Sequence, residues 1–312
     1  RDDMSDFERA LFLKDLKKYK ILLLMLLPAV IYVILFNYIP MGGIVLAFKK
    51  YNYIDGIFKS PWNGLNNFKF FFNSGQAFTV TRNTLLYNTA FIIINNILQL
   101  TVAILLVEIK NKYFVKAAQS IMFLPYFISW VVVSVISFNF LSYDYGVVNK
   151  LIAFLGGEKV NIYNIPYIWP VIIIFFNAWK NVGYGSILYL ASIMGIDPSI
   201  YEAAQIDGAS KVQRIFKITI PMVRPTIIVL VLLAVGGIFK GNFDLFYNLV
   251  GSNGILYDAT DVIDTYTFRA LIYNNDIGMS AASGFFQSVL CFITVVIANK
   301  LVSLYDKDYT LF

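Results

Sequence analysis

Six long apolar runs divide this chain of 312 residues and constrain its fold more than any other feature. An α-helix needs about 20 apolar residues to cross the hydrocarbon core of a bilayer, and each run is about that long. Within lipid only helices and closed barrels satisfy all of their backbone hydrogen bonds. We therefore predict an all-α integral membrane protein with six transmembrane helices. These spans lie at about 21–40, 84–108, 118–141, 167–192, 223–246 and 282–304.

The composition agrees with a membrane protein and excludes several other classes. The chain is 58% hydrophobic and 14% charged, whereas about a quarter of the residues of a soluble domain are charged. Its net charge of +6 is scattered among apolar segments instead of forming the basic stripe of a nucleic-acid-binding protein, so we expect no nucleic-acid partner. Cys291 is the only cysteine and histidine is absent, which disfavours a disulfide framework, a zinc site and histidine-dependent catalysis.

The distribution of Lys and Arg predicts the orientation of the chain. With the N-terminus inside, fifteen of these residues fall on the inner side and eight on the outer side, and cytoplasmic segments carry the excess of positive charge. Both termini are therefore predicted to be cytoplasmic, with residues 1–20 as a charged N-terminal segment and 21–312 as the transmembrane domain. We expect no cleaved signal peptide, because no small-residue cleavage site follows the first run. The outer loops at about 41–83 and 247–281 are rich in Tyr, Phe, Asn and Gly, which suits a surface that meets another molecule.

The polar segment 193–222 lies between the fourth and fifth spans, on the predicted cytoplasmic side. It contains the sequence YEAAQIDGASKVQRIFKITIP. Asp197 is a good N-cap, and Pro198 suits the first helical position, where the missing N–H costs nothing. Gly208 is the residue type that ends a helix in the left-handed conformation. These residues predict a short helix over about 198–207.

A second helix is predicted to start directly after this turn. Ser210 with Gln213 three residues later forms the pattern of a capping box, and we expect this helix to end near Pro221. Ala203 and Ala204 leave one face of the first helix thin, so that another protein can approach its backbone, while Glu202 offers a carboxylate to a basic partner. The prediction is a helix-turn-helix that docks on another protein.

The segment resembles the EAA loop of the inner-membrane permease subunits of binding-protein-dependent ABC importers. The Glu-Ala-Ala triplet is followed at the family's offsets by the glycine, an aliphatic residue and the proline, and Ile220 stands where the family usually has leucine. The alternative is a cytosolic linker made of good helix formers, which explains the triplet but not the later positions. The resemblance implies that the following residues couple the chain to an ATPase: Glu202, Ala203, Ala204, Asp207, Gly208, Ile218 and Pro221.

Further motifs extend the resemblance over nearly the whole chain. They are PMGGIVLAF, SPWNGLNNF, RNTLLYNT, FLPYFISWVVV, AWKNVGYGSILYLASI and DKDYTLF, and they are similar to carbohydrate importers of the LplB type found in Gram-positive bacteria. This implies the permease fold of a type I ABC importer in the bacterial cell membrane. The implied partners are a second homologous permease that forms a heterodimer with this chain, a dimer of cytoplasmic ATPases, and a lipid-anchored sugar-binding protein outside.

The sequence lacks the motifs of a protein that hydrolyses ATP, so the energy for transport must come from a partner. It contains no GxxxxGK[ST] phosphate-binding loop and no acidic run suited to Mg²⁺. We therefore expect a non-catalytic subunit without a cofactor, whose partner ATPase binds ATP and Mg²⁺. By resemblance, the first helix of the EAA loop docks in a groove of the ATPase and Glu202 faces an ATPase arginine. Closure of the ATPase dimer then switches the permease between inward-open and outward-open states.

Polar residues within the fourth and fifth spans are candidates for the substrate path, because such residues usually face a cavity or a partner. Asn177, Asn181 and Tyr184 recur at helical spacing, and Lys240 and Asp244 lie four residues apart and would pair across one helical turn. The alternatives are hydrogen bonds to neighbouring helices, close packing at the glycines, a solvated Lys240/Asp244 pair, and a lipid-facing belt for the aromatic residues. The aromatic residues Tyr126 and Trp130 of the third span and Trp179 of the fourth are candidate stacking surfaces for sugar rings. The complete set is Tyr126, Trp130, Asn177, Trp179, Lys180, Asn181, Tyr184, Lys240, Gly241, Asn242 and Asp244.

Three other functions remain open at this stage. An importer for a solute other than sugar has the same EAA loop. An ion-coupled secondary transporter would show inverted repeats and intramembrane carboxylates or histidines, and the sequence shows neither repeats nor such a set. A membrane-embedded enzyme would need a nucleophile, a metal site or an acid-base pair within the bilayer, and the spans contain no such constellation.

Overall fold

A computed structural model describes residues 18–305 of the chain. Most of the predicted N-terminal segment and the DKDYTLF motif lie outside these residues. The helices, in chain order, are α1 (Lys20–Phe48), α2 (Gly56–Lys59), α3 (Asn66–Asn73), α4 (Gln76–Glu108), α5 (Lys112–Phe127), α6 (Trp130–Leu141), α7 (Val147–Phe154), α8 (Trp169–Met194), α9 (Pro198–Ile206), α10 (Lys211–Gly236), α11 (Phe243–Val250), α12 (Tyr257–Thr260), α13 (Ile263–Ile272) and α14 (Ile277–Tyr305).

The structure agrees with the prediction of six spans when one bent pair of helices is counted as a span. Five helices of the described part are long and apolar enough to cross a membrane, namely α1, α4, α8, α10 and α14. The sixth span is a bent pair, because α5 and α6 meet at an angle of 99°. The prediction of one helix over 118–141 is therefore wrong. The chain is extended at Ile128 and Ser129, so the break lies beyond Pro125.

The fifth span also ends earlier than predicted. The sequence predicts a helix over 223–246, but α10 ends at Gly236 and a separate helix, α11, begins at Phe243. Two glycines in a row, Gly236 and Gly237, weaken the helix at this point because glycine loses the most backbone entropy. The side chain of Asn242 then caps α11 by accepting the Leu245 N–H at 3.2 Å. The apolar run thus encodes two helices joined by an irregular turn.

Helix α8 occupies the centre of the bundle and packs against both α4 and α5. Glycines on α8 permit these close approaches. A Cβ atom at Gly183 would lie 1.9 Å from the backbone oxygen of Met122 in α5, and one at Gly185 would lie 2.1 Å from the side chain of Gln99 in α4. Small residues at helix crossings are the usual means by which membrane helices pack, since lipid supplies no hydrophobic driving force between them.

Helix α1 contrasts with this central packing. Every side chain from Lys20 to Met41 is exposed in the single chain, and the segment Gly42–Phe48 alone packs on α14. The apolar surface of α1 is therefore available to lipid or to another membrane subunit.

Candidate functional site

Helix α9 is built at its ends as the sequence predicts. The carboxylate of Asp197 caps the helix by accepting the Ser199 N–H at 2.9 Å, and this hydrogen bond lowers the pKa of Asp197. Gly208 has a φ of +77°, the left-handed conformation that glycine adopts at least cost. Ser210 and Gln213 form a capping box at the start of α10, with the Gln213 side chain accepting the Ser210 N–H at 2.7 Å.

One face of α9 is held against α10, and the opposite face is free. The hydroxyl groups of Tyr201 and Thr219 are 2.9 Å apart, and Arg214 donates a hydrogen bond to the Gln205 side chain at 3.2 Å. Glu202, Ala203 and Asp207 are exposed on the other side. The geometry presents a rigid, short helix with a carboxylate on its outer face.

The sequence reasoning missed Ile206, which also belongs to the free face of α9. Its side chain is 86% exposed, although it lies one helical turn after Glu202 on a polar segment. An apolar residue one helical turn after Glu202 on a polar segment is the sequence signal that could have identified Ile206. An exposed isoleucine beside a carboxylate is suited to contact with a partner protein.

The second helix of this segment does not end near Pro221, contrary to the prediction. Helix α10 runs without interruption from Lys211 into the membrane span and ends at Gly236. A proline cannot donate an N–H to the preceding turn, and here the residues directly before it, Ile215–Thr219, form a π-helical turn that accommodates the missing bond. Ile218 is half-buried within that turn and Pro221 is exposed. The short helix α9 is thus followed by a span that begins in the coupling segment itself.

A polar cleft lies at membrane depth between α4, α8 and α10. It has a volume of about 370 Å³. Its apolar wall includes Leu230 and Ala234 of α10. Amides supply most of its polar lining, together with the phenol of Tyr184. The polar residues are Asn88, Asn95, Asn96, Gln99, Asn181 and Tyr184.

Asn181 and Tyr184, which the sequence predicts on one polar face, both line this cleft, and four amides of α4 that were not predicted line it with them. Asn88, Asn95, Asn96 and Gln99 recur at helical spacing within an apolar run, and this periodicity was the available signal. Together the two helices bring six hydrogen-bonding side chains to one cleft. Such a surface suits a ligand with many hydroxyl groups.

Asn177 serves the packing of α8 against α4. Its side chain is 5% exposed, and its Oδ1 accepts the Asn95 amide at 2.8 Å. The Asn181 amide donates to the Asn177 backbone oxygen at 2.8 Å. The Oδ1 atom of Asn95 is buried without a protein partner. Asn177 therefore orients the cleft residues and does not itself line the cleft.

Lys180 points away from the amide cleft, toward the break between α5 and α6. Its ammonium group donates to the backbone oxygens of Pro125 at 3.2 Å, of Tyr126 at 2.8 Å, and of Ile128. The ammonium lies 5.8 Å from the ring centre of Tyr126 and 5.4 Å from that of Trp130. All three N–H donors of the lysine are thus used by carbonyl groups at the helix break, and the Pro125 oxygen also accepts the Ile128 N–H at 3.2 Å.

The candidate aromatic residues fall into two groups. Tyr126 and Tyr184 are stacked, with ring centres 4.2 Å apart and planes 7° apart, and this pair joins the helix break to the amide cleft. Trp179 is half-buried and contacts Phe176 edge to face. It lines apolar gaps on another side of α8 instead of the amide cleft.

The remaining candidates form the break between α10 and α11. Asn88 donates its amide to the backbone oxygens of Ile238 at 2.8 Å and Lys240 at 3.0 Å. Gly241 donates its N–H to the carboxylate of Asp264 at 2.6 Å. Burial raises the pKa of this carboxyl group despite the hydrogen bond.

The predicted helical pair of Lys240 and Asp244 is wrong. Lys240 precedes α11 and lies in the irregular turn, whereas Asp244 is in the first turn of the helix. Because the two residues do not share one helix, the spacing of four does not place them on one face. Asp244 is exposed, in a position that is favourable for a carboxylate near a helix N-terminus.

The sequence analysis also missed a buried ion pair in the predicted outer region. Arg269 donates to both carboxylate oxygens of Asp261, which is 3% exposed. The Arg269 guanidinium stacks on the ring of Tyr257, 4.1 Å from its centre. Asn83 ties α4 to the same turn by donating to the Asp261 backbone oxygen at 3.0 Å. Within residues 18–305, no three His, Cys, Asp or Glu side chains form a group that suits a metal ion.

Comparison with known proteins gives the family. Residues 99–306 match the model of the binding-protein-dependent transport system inner membrane component. The chain belongs to this family. It is 35% identical over 302 residues to the polygalacturonan/rhamnogalacturonan transport system permease protein YteP of Bacillus subtilis, with 96% of this chain and 93% of the relative covered. It is also 35% identical to Protein LplB of the same organism, with 94% and 92% covered.

A solved structure supports the same assignment. The chain is similar, with a TM-score of 0.83 and 35% identity, to a chain in the crystal structure of a bacterial alginate ABC transporter in complex with an alginate pentasaccharide-bound periplasmic protein. The match covers 92% of this chain and 96% of that chain. The predicted family and the type I permease fold are confirmed. The protein is a multi-pass membrane permease.

Proposed function

We propose that this permease is a subunit of an ATP-driven importer of oligosaccharides. The observation that carries the proposal is the amide-lined cleft at membrane depth, together with the similarity to permeases and a transporter whose names specify polysaccharides. Amide groups both donate and accept hydrogen bonds, so they pair with sugar hydroxyl groups whatever the charge of the sugar. The stacked ring of Tyr184 adds an aromatic surface at one edge of the cleft.

The energy comes from a separate ATPase that docks on α9. The free face of α9 supports this, because Glu202 offers a charge-assisted hydrogen bond to an arginine and Ile206 offers an apolar contact. In this proposal the chain itself is not catalytic and binds neither ATP nor Mg²⁺. The excess of Lys and Arg on the α9 side supports a cytoplasmic position for both termini.

Two further partners complete the importer. A sugar-binding protein, lipid-anchored outside the cell, delivers the substrate, and the periplasmic protein in the alginate transporter complex supports this role. A second, homologous permease covers the open side of the amide cleft. Asn88, Asn95 and Asn181 donate to protein oxygens, but any polar atom of the cleft that lacks a partner in lipid costs free energy, so a single chain is expected to be poorly stable in the membrane.

The test is ATP hydrolysis by the complete complex in proteoliposomes, with and without the sugar-loaded binding protein. The sugars to be tested first are oligogalacturonides and alginate oligosaccharides. We expect hydrolysis to rise when binding protein and sugar are both present, and Asn181→Ala to reduce uptake without loss of the complex on size exclusion. If hydrolysis does not respond to any sugar but rises with another solute and its binding protein, that solute replaces oligosaccharides as the proposed substrate class.

A further inference from the structure

The break between α5 and α6 is a junction between two packed units. Helix α5 packs on α8, and α6 packs on α11. Only Ile128 and Ser129 join α5 to α6, and both residues are extended. The side chain of Ser129 caps α6 by accepting the Val132 N–H at 3.4 Å. Each helix is therefore complete in itself and the two are linked by a short, irregular segment.

The contact between α5 and α8 is tight and involves three residues of α8. Gly183 brings the two backbones together, since a Cβ atom there would lie 1.9 Å from the Met122 oxygen. Tyr184 stacks on Tyr126 of α5. Lys180 donates to the backbone oxygens at the C-terminal end of α5. Because α8 continues through three residues into α9, α5, α8 and the docking helix form one connected unit.

The contact between α6 and α8 is loose by comparison. An apolar cleft of about 480 Å³ lies between them, with Ile136 and Phe140 on the α6 side and Val171 and Phe175 on the α8 side. A gap of this size leaves room for α6 to change its angle relative to α8. The cleft opens at the surface of the chain, because Phe140, Val171 and Phe175 are exposed.

Lys180 bridges the two units at the point where α5 passes into α6. Its ammonium binds the carbonyl groups of Pro125 and Tyr126, within α5, and also that of Ile128, in the linker. It also lies over the ring of Trp130, the first residue of α6. A single side chain on the helix that leads to α9 thus holds both sides of the break.

We propose that Lys180 is a positioning residue that transmits movement of the docking helix to α6. When the ATPase moves α9, α8 and α5 follow as one unit, and the lysine carries the linker and the start of α6 with them. Loss of the ammonium leaves the carbonyl groups of Tyr126 and Ile128 without this donor, while the Pro125 oxygen keeps the Ile128 N–H, and lets α6 move independently. This inference rests on the importer function proposed above, and assigns Lys180 to coupling instead of to contact with sugar.

The test compares Lys180→Met, which keeps the length of the side chain, with Lys180→Arg, which keeps its charge. Lys150→Met is the control because Lys150 is an exposed lysine of α7. Spin labels at Ile136 and Phe175, in a Cys291→Ser background, report the separation of α6 and α8 in the complete complex. The separation is measured without nucleotide and after trapping with ATP and orthovanadate.

We expect a nucleotide-dependent change in this distance with wild-type Lys180, with the arginine variant and with the control. In Lys180→Met the change is lost, and sugar-stimulated ATP hydrolysis falls about ten-fold or more, as expected when buried carbonyl groups lose their donors. An equal nucleotide-dependent change in Lys180→Met and wild type would overturn the inference. A wild-type complex that imports no sugar with ATP would refute the proposed function instead.

A second experiment keeps Lys180 and so avoids any folding defect caused by its loss. Cysteines at Ile136 and Phe175 are joined by a short, reducible cross-linker in the complete complex. If α6 must move relative to α8, cross-linking stops ATP-dependent uptake and reduction restores it. Full uptake by the cross-linked complex would show that the junction does not move, and would overturn the inference.

Discussion

Substitution of Gly208 tests the role of the turn between α9 and α10 most sharply. The residue has a φ of +77°, and a Cβ atom built there meets no other atom within 4 Å. Any effect of a larger side chain therefore comes from backbone strain and not from a steric clash. A left-handed conformation costs an ordinary L-residue about 1–2 kcal/mol, and a change of this size shifts a two-state equilibrium about 5- to 30-fold.

Two variants at this position separate the effect of backbone strain from the effect of side-chain size. Gly208→Val introduces a β-branched residue, which strongly resists a positive φ, whereas Gly208→Asn introduces a residue that tolerates it. We expect the valine variant to displace α9 from its contact with α10 and to reduce sugar-stimulated ATP hydrolysis several-fold. The asparagine variant should retain most of the stimulation.

The assay is ATP hydrolysis by the reconstituted complex, expressed as the ratio of rates with and without sugar-loaded binding protein. Binding of sugar to the isolated binding protein and recovery of the complex on size exclusion serve as controls. Equal stimulation in the two variants and the wild type would refute the reasoning that the left-handed turn aligns the docking helix. Equal loss in both variants would show that the turn is sensitive to side-chain size, against the geometry described here.

Three further substitutions test separate parts of the account. Glu202→Lys reverses the charge on the free face of α9, and we expect it to abolish ATPase binding in a pull-down, with Glu202→Gln intermediate. A wild-type level of bound ATPase in the lysine variant would contradict the docking role. Gly183→Ala places a methyl group against the Met122 backbone oxygen, so the yield of folded complex should fall, whereas Gly284→Ala meets open space and should leave the yield unchanged. Asn181→Ala should weaken uptake by raising the sugar concentration for half-maximal transport, and unchanged transport would assign this amide to packing alone.

Local chemistry explains why the docking segment was predictable from the sequence. The caps at Asp197 and Ser210 involve partners two and three residues away, and the left-handed turn at Gly208 depends on one residue. The number of spans was equally accessible, because a long apolar run needs no tertiary contact to indicate a membrane helix. The start of α10 was misjudged because Pro221 was read as a stop, although a π-helical turn absorbs it.

The two helix breaks were not predictable because their stabilising partners are distant in sequence. The carbonyl group of Ile128 is bound by a lysine 52 residues later, and that of Ile238 by Asn88, 150 residues earlier. Each break lies in a run whose composition fits a continuous span. Lys180 was identified from its unusual position in a span, but only the fold shows that carbonyl groups occupy its ammonium group.

The energy source of transport is the most direct test of the proposed function. The complete complex containing this chain is reconstituted in sealed proteoliposomes with the binding protein and labelled oligosaccharide on one side. The account predicts that oligosaccharide accumulates only when ATP is supplied on the side that α9 faces, and that ionophores do not affect the rate. Uptake that proceeds without ATP and follows an imposed proton or sodium gradient would contradict it.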